Sequence, residues 1–327
     1  MKKGLVLGKF LPLHKGHLGL IDFALEHCDN LLVLLCYTST ETVSEAQRLS
    51  WLEQCVGMRP SIQIQSFYYD TDQLPNTSKY SKESAEAWAS KLKIQLPQID
   101  ILFTSEEYGA PVAQLMNIKH LNYDYNRKIT PVSASLINSS PFQYWDYLPK
   151  PVQPFFVKKI CIVGSESTGK SNLARNLAGF FNTTFVPEMA REIIKHTEEC
   201  TYEHLFKIAE LQAETILKKT VEANKMLFCD TDLNITKSYS RFLFNKNLTV
   251  PLWIEDANVF DLHIYLDNNC PYIQDGTRLS EKERDRLNDS HKQQLDNNNI
   301  KYITVSGTWD ERFVKSCEII QNSFCNQ

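Results

Sequence analysis

Two glycine-bearing turns stand about one domain apart on this chain, each where a short apolar run gives way to an amphipathic stretch. The first reads Gly8-Lys9-Phe10-Leu11-Pro12-Leu13-His14-Lys15-Gly16-His17, and the second Gly164-Ser165-Glu166-Ser167-Thr168-Gly169-Lys170-Ser171. Around the first, apolar runs at residues 4–7, 31–37, 62–67, 101–104 and 118–121 read as strands, with helix-like segments at 17–26, 45–56 and 82–92 between them. Runs at 159–163, 184–186, 226–229, 262–266 and 302–305 repeat the theme around the second. Continuous Val, Ile and Leu runs, rather than alternating ones, belong to parallel strands covered on both faces. The chain therefore reads as α/β, two doubly wound parallel-sheet domains.

The 327 residues, 43% of them apolar, are enough for two cores. Three prolines in Leu148-Pro149-Lys150-Pro151-Val152-Gln153-Pro154 cannot continue a helix or a central strand. They predict a stiff connector, with domains at 1–150 and 151–327. A net charge of −4 argues against a nucleic-acid partner. Nine cysteines without a C-x-x-C pair read as reduced thiols, neither a disulfide framework nor a zinc site. The first apolar run is too short for a signal peptide. No window approaches the roughly 18–20 apolar residues of a membrane span. The expectation is a soluble, cytoplasmic chain without membrane insertion.

His14-x-Gly16-His17 follows the first strand and opens a helix. A helix N-terminus offers unpaired N–H groups to phosphates, Gly16 allows close backbone approach, and two imidazoles at this spacing can both face one cleft. Such residues suit nucleotidyl transfer, which needs positioning and charge neutralisation more than a covalent nucleophile. The competing reading is two surface histidines in a turn.

The second turn is a complete Walker A motif. Its backbone N–H groups, from Gly164 through Ser165, Glu166, Ser167, Thr168 and Gly169, would wrap the phosphates of ATP. Lys170 would bridge the β- and γ-phosphates, and the Ser171 hydroxyl would reach Mg²⁺. Asp230, ending the run at 226–229, is the expected acidic partner on the Mg²⁺ shell. Asp232 either contacts substrate or caps a helix. Glu188, in Pro187-Glu188-Met189-Ala190-Arg191, is the candidate base for a hydroxyl acceptor, with Arg191 beside phosphates or substrate; a solvated helix start is the alternative. Asp275-Gly276-Thr277-Arg278 reads as a lid that delivers Arg278 to the transferring phosphoryl.

Gly8-Lys9-Phe10-x-Pro12-x-His14-x-Gly16-His17 resembles the signature of nicotinamide-nucleotide adenylyltransferases, particularly the domain of bifunctional NadR-type proteins. Ser105-Glu106-Glu107-Tyr108-Gly109 resembles the segment lining that family's nucleotide cleft, Asp124-x-x-Arg127 its Asp-x-x-Arg, and Pro141-Phe142-Gln143-Tyr144-Trp145 the segment closing the domain. The P-loop, Pro-Glu-x-x-Arg-Glu, Asp-Thr-Asp and Asp-Gly-x-Arg resemble, in the same order, the ribosylnicotinamide kinase domain. The resemblance implies an N-terminal Rossmann-like nucleotidyltransferase and a C-terminal P-loop kinase. It assigns Gly8, Lys9, Phe10, Gly16, Ser105, Tyr108, Arg127, Ser133 and Ser135 to ATP binding in the first domain. Some members carry a helix-turn-helix ahead of this point; the first strand starts within five residues, so none is expected here.

One departure stands out. The family's second phosphate motif ends in Arg, where this chain has Val132-Ser133-Ala134-Ser135-Leu136-Ile137-Asn138. A neutral amide loses a charge-assisted contact, which is roughly twice as strong as a neutral one. Lys9, Lys15, Arg127 and Lys128 are the cations that could replace it.

The resemblance implies NAD salvage: 5′-phosphorylation of nicotinamide riboside by MgATP, then adenylylation of the mononucleotide (NMN) to NAD, the second activity weakened by Asn138. The alternatives are a riboside kinase whose N-terminal domain senses NAD or NMN without turnover, and a fusion serving another nucleoside-like substrate. Trp88, Tyr80 and Trp253 are candidate platforms for the nicotinamide ring. The sequence leaves the oligomeric state open, a homo-oligomer included.

Overall fold

The computed structural model describes residues 1–75, 81–194, 199–269 and 280–325. The chain forms two compact units, Met1–Gln153 and Pro154–Gln327. Each is built on a five-stranded, wholly parallel sheet.

The first sheet comprises β1 (Lys3–Gly8), β2 (Asn30–Tyr37), β3 (Ile62–Tyr68), β4 (Ile101–Thr104) and β5 (Lys119–Asn122), ordered β3-β2-β1-β4-β5. Central strands are buried along their length, whereas edge strand β3 alternates half-buried Ile62 and Ile64 with exposed Gln63 and Gln65. Leu5, Leu7, Leu32 and Leu34 meet Trp88, Leu92, Val112 and Met116 from the helices Lys82–Gln95 and Gly109–Met116. Helices Lys15–Leu25 and Glu45–Val56 pack against the same strands. Burying each such Leu contributes about 1.5–3 kcal/mol.

The second sheet comprises β6 (Lys158–Gly164), β7 (Thr184–Val186), β8 (Met226–Asp230), β9 (Leu262–Leu266) and β10 (Tyr302–Val305), ordered β10-β9-β6-β8-β7. In each unit the chain crosses from one side of its first strand to the other, after β3 and after β8. A crevice therefore opens outside the carboxyl ends of β1 and β6, where ligands of open α/β sheets bind. Both glycine-bearing turns sit at those ends.

The proline-rich stretch is not a free connector. Leu148 and Val152 are buried, and the Gln153 amide donates to the Trp145 and Leu148 carbonyls at 3.4 and 3.2 Å. Its first part belongs to the first unit.

Trp88 is likewise core rather than platform: its indole N–H donates to the Pro75 carbonyl at 2.9 Å and its ring packs edge-on against Tyr69. Tyr80 lies outside the described residues. Cys36, Cys161 and Cys229 are buried free thiols inside β2, β6 and β8. Among the described residues, no helix is long and apolar enough to cross a membrane.

Candidate active sites

The first cleft, about 630 Å³, opens between the ends of β1 and β4. Gly8, Lys9, Phe10, His14, Gly16, His17, Ser105, Tyr108, Arg127, Ser133 and Ser135 all line it. His14 caps the helix Lys15–Leu25: its Nδ1 accepts the Gly16 N–H at 3.2 Å, while His17 Nδ1 accepts the His14 N–H at 3.3 Å. With both Nδ1 atoms accepting, neutral rings carry their protons on Nε2. The rings stack with centroids 3.7 Å apart. Burial, then the Arg127 charge, pulls His14 down to about 4; burial, His14 and Arg127 hold His17 well below its ordinary value. The pair is thus two uncharged N–H donors at neutral pH. A Cβ on Gly16 would lie 3.0 Å from the His14 ring, so this turn admits only glycine without displacing that ring.

The cations of this cleft are already engaged. Lys9 pairs with Glu41 at 3.1 Å, and Arg127 reaches Glu106 at 3.2 Å and the Val132 carbonyl at 3.0 Å. Lys15 and Lys128 are exposed and do not line the cleft. The Asp124 carboxylate accepts N–H groups of Lys128, Ile129 and Thr130 at 2.7, 3.0 and 2.8 Å, which shapes the loop bearing Arg127. Ser133 caps the helix Ala134–Ser139 by accepting from Leu136 N–H.

Sequence reasoning missed Arg48, which is fully buried, donates to the Lys9 carbonyl at 3.0 Å and pairs with Glu41 at 3.5 Å. Its signal was a charge inside the apolar stripe of Arg48, Trp51, Leu52 and Val56.

The second cleft, about 700 Å³, is lined by Glu166, Ser167, Thr168, Gly169, Lys170 and Ser171 together with Glu188 and Arg191. Gly164 (φ +145°) and Gly169 (φ +85°) occupy backbone regions that side chains rarely enter, and a Cβ on Gly164 would fall 2.6 Å from the Leu266 carbonyl oxygen. Gly164 and buried Ser165 form the back of the loop. Lys170 Nζ donates to the Ser165 carbonyl at 2.8 Å. The Ser171 hydroxyl donates to Asp230 Oδ2. Asp230 is fully buried and its Oδ1 has no hydrogen-bond partner. Burial, then the Glu188 charge, raises its carboxyl to about 6.

Of the two readings of Asp232, the structure has the cap, and the residue is not among those lining the cleft. Residues two apart on a strand would share a face, but Thr231 adopts φ +67° and breaks the alternation. Asp232 turns away to cap the helix Leu233–Phe244, accepting from Ile235 N–H at 3.1 Å, Asn234 Nδ2 at 2.9 Å and His263 Nε2 at 3.1 Å. Burial alone would raise its carboxyl; the His263 bond, followed by the other donors, outweighs burial and lowers it. Cys161 completes a buried group with Asp232 and His263. Burial holds that thiol protonated, and the carboxylate's donors are within the protein, so the group reads as a structural hydrogen-bond pair beside a small hydrophobe.

Glu188 pairs with Arg191 at 3.3 Å. Gln212, also missed from sequence, accepts the Met189 N–H at 3.1 Å and donates to the Asp230 carbonyl at 3.3 Å, fastening the Glu188 turn to β8. Apolar Ile194, Leu205, Ile208 and Leu243 line the rest, with Tyr239, whose hydroxyl donates to Glu166 at 3.3 Å. Trp253 is not among the lining residues. Arg278 lies outside the described residues.

Comparison with known proteins agrees with two separate units. A cytidylyltransferase-like family model matches residues 5–103 and an AAA domain model residues 159–312. The chain is 31% identical over 350 residues to the trifunctional NAD biosynthesis/regulator protein NadR of Escherichia coli (strain K12), covering 99% of this chain and 84% of that protein. Its identity to the protein of the same name from Salmonella typhimurium (strain LT2) is 32%, with the same coverage. A crystal structure of a NadR protein in complex with NR superposes with a TM-score of 0.80 at 18% identity, covering 100% of this chain and 97% of that one.

Proposed function

Because the chain belongs to the NadR family of NAD biosynthesis/regulator proteins, we propose that its two clefts carry out consecutive steps of NAD salvage. The second phosphorylates nicotinamide riboside with ATP; the first joins the resulting NMN to the adenylyl group of ATP. The observation that carries this reading is the P-loop cleft, whose lining includes Lys170, Ser171 and Glu188, with buried Asp230 bonded to Ser171 and within reach of the Glu188 charge.

In the kinase step, Glu188 accepts the proton of the riboside 5′-hydroxyl as its oxygen attacks the γ-phosphorus and the bond to the β–γ bridging oxygen breaks. Lys170 leaves the Ser165 carbonyl for the phosphates, and the loop's N–H groups hold the leaving ADP. Ser171 and Asp230 suit Mg²⁺: they supply hard oxygen ligands, one of them the buried, unpartnered Oδ1. When bound there, Mg²⁺ would supply positive charge to the phosphate chain. Arg191 orients Glu188.

In the adenylyl step, an NMN phosphate oxygen attacks the α-phosphorus of ATP and pyrophosphate leaves with the bridging oxygen. His14 and His17 donate through Nε2–H to the phosphate oxygens, with the N–H groups at the start of the helix beside Gly16. Lys9, Arg127 and Ser135 flank the phosphates, while Gly8, Phe10, Ser105 and Tyr108 line the nucleoside side.

A second reading is favoured by Asn138. With that position neutral, and Lys9 and Arg127 paired to carboxylates, the first cleft would bind NMN or NAD as a sensor without turnover. Incubation with ATP and nicotinamide riboside separates the two. NMN followed by NAD supports two enzymes, NMN alone supports kinase plus sensor, and neither product overturns both.

A further inference from the structure

Three of the five tryptophans, Trp51, Trp88 and Trp145, are at most 4% exposed, whereas Trp309 is 54% exposed. It is the first residue of the helix Trp309–Phe324, just past the cap Thr308, and it lines the P-loop cleft. One part of its ring lies against the phosphate loop itself: a Cβ at Gly169 would fall 2.0 Å from Trp309 Cζ3.

The ring is also held from behind. The Arg312 guanidinium lies 5.5 Å from its centroid. That side chain is buried and donates to the carbonyls of Thr168, Gly307 and Asp267 at 2.9, 2.9 and 3.0 Å and to Asn269 Oδ1 at 2.9 Å. A large aromatic surface is therefore fastened to the loop that would hold the phosphates, and stays open to the cleft. Isolated exposed aromatics are ordinary; one clamped by a four-bonded arginine against a phosphate loop is not a loose surface group.

Its position in the sheet says which part of a nucleotide it meets. Trp309 follows β10, at one edge of the sheet, whereas Glu188 follows β7, at the opposite edge, with β6 and its loop between them. The acceptor belongs on the Glu188 side, so the donor's base lies on the Trp309 side. We propose that Trp309 is the base platform of the phosphoryl donor, stacking on the purine ring of the nucleotide whose phosphates occupy residues 164–171. This deepens the kinase reading and rests on it.

Base–aromatic stacking is worth enough that truncation costs roughly ten-fold in affinity. Trp309→Ala is expected to raise the KM for ATP about ten-fold, with kcat and the KM for riboside within about two-fold. Trp309→Phe restores most of the affinity. Inorganic tripolyphosphate, which has the phosphates without the base, should inhibit wild type and Trp309→Ala equally. A non-hydrolysable ATP analogue should quench tryptophan emission in wild type by a component that Trp309→Phe lacks. An unchanged KM for ATP, or tripolyphosphate inhibition that weakens in parallel with ATP binding, overturns the platform. The quench is read without riboside, so it judges Trp309 even where riboside is not phosphorylated and the kinase reading itself fails.

Discussion

The side-chain amide of Asn138 donates to the main-chain carbonyl of Leu11 at 3.2 Å, tying the helix Ala134–Ser139 to the turn after β1. The residue that stands where the resembled motif ends in Arg thus spends one of its two amide N–H donors on the protein. Asn138→Arg would lose this neutral bond, worth about 0.5–1.5 kcal/mol, and add a charged contact to ATP worth about 1.5–3 kcal/mol. The difference centres on about 1.3 kcal/mol in favour of the variant, so kcat/KM for NAD formation should rise by roughly ten-fold. Steady-state kinetics with varied ATP decides this; no change or a fall would mean that Lys9 and Arg127 already serve the phosphates.

Lys170→Ala should lower riboside phosphorylation by at least about a hundred-fold, because the lost charge acts on the transferring phosphate. Thermal unfolding should barely move, since among the described residues Lys170 makes one hydrogen bond, to the Ser165 carbonyl. Near-normal turnover in the variant would remove the kinase assignment.

Asp230 puts stability and activity in opposition. Burial raises its folded-state carboxyl to about 6, above the unfolded value, so the folded unit binds the proton more tightly and loses stability as pH rises through this window. Asp230→Asn should therefore raise the Tm at pH 7.5 without added Mg²⁺, while abolishing riboside phosphorylation. In wild type, phosphorylation should fall as pH drops through about 6, and higher Mg²⁺ should move that limb to lower pH by competing with the proton. A destabilised Asp230→Asn protein, or a limb indifferent to Mg²⁺, would contradict the assignment.

The histidine pair carries the opposite sign. Its folded-state pKa values lie below the unfolded value near 6.5, His14 at about 4. Stability of the first unit is fully present above pH 6.5 and drains away as pH falls toward 4. Neither ring should impose a limb on NAD formation between pH 8 and about 5.5, since both remain neutral donors; the attacking NMN phosphate, with a second pKa of about 6, sets the acid limb instead. His17→Ala should remove that activity and spare riboside phosphorylation, whose residues all lie in the other unit. A rate that rises as pH falls through about 6.5, against the titration of the NMN phosphate, would show that a ring works as imidazolium.

Much of this protein was legible in the sequence because its signals are local. Each of the ten described strands overlaps a run read from the sequence; β1, β2, β4, β6 and β8 are mostly apolar because both faces are covered, whereas β3 and β5, at an edge, carry exposed polar residues. The two turns were legible for the same reason: glycine, lysine and histidine at fixed offsets act through backbone and side chains within one helical turn. Tertiary structure decided what depends on partners far along the chain. The Asp-Thr-Asp spacing left Asp232 open between substrate and cap, and a left-handed Thr231 with His263 waiting on β9 sent it to the cap. Arg48 became the brace of Lys9 only when β1 and the helix Glu45–Val56 came together. Trp309, 140 residues from Gly169 and invisible as a motif, meets the phosphate loop only because the chain leaving β10, two strands from β6 in the sheet, brings its ring against Gly169. Spacing along the chain encodes which groups share a turn; which groups share a cleft is set by sheet order, and that is a property of the whole fold.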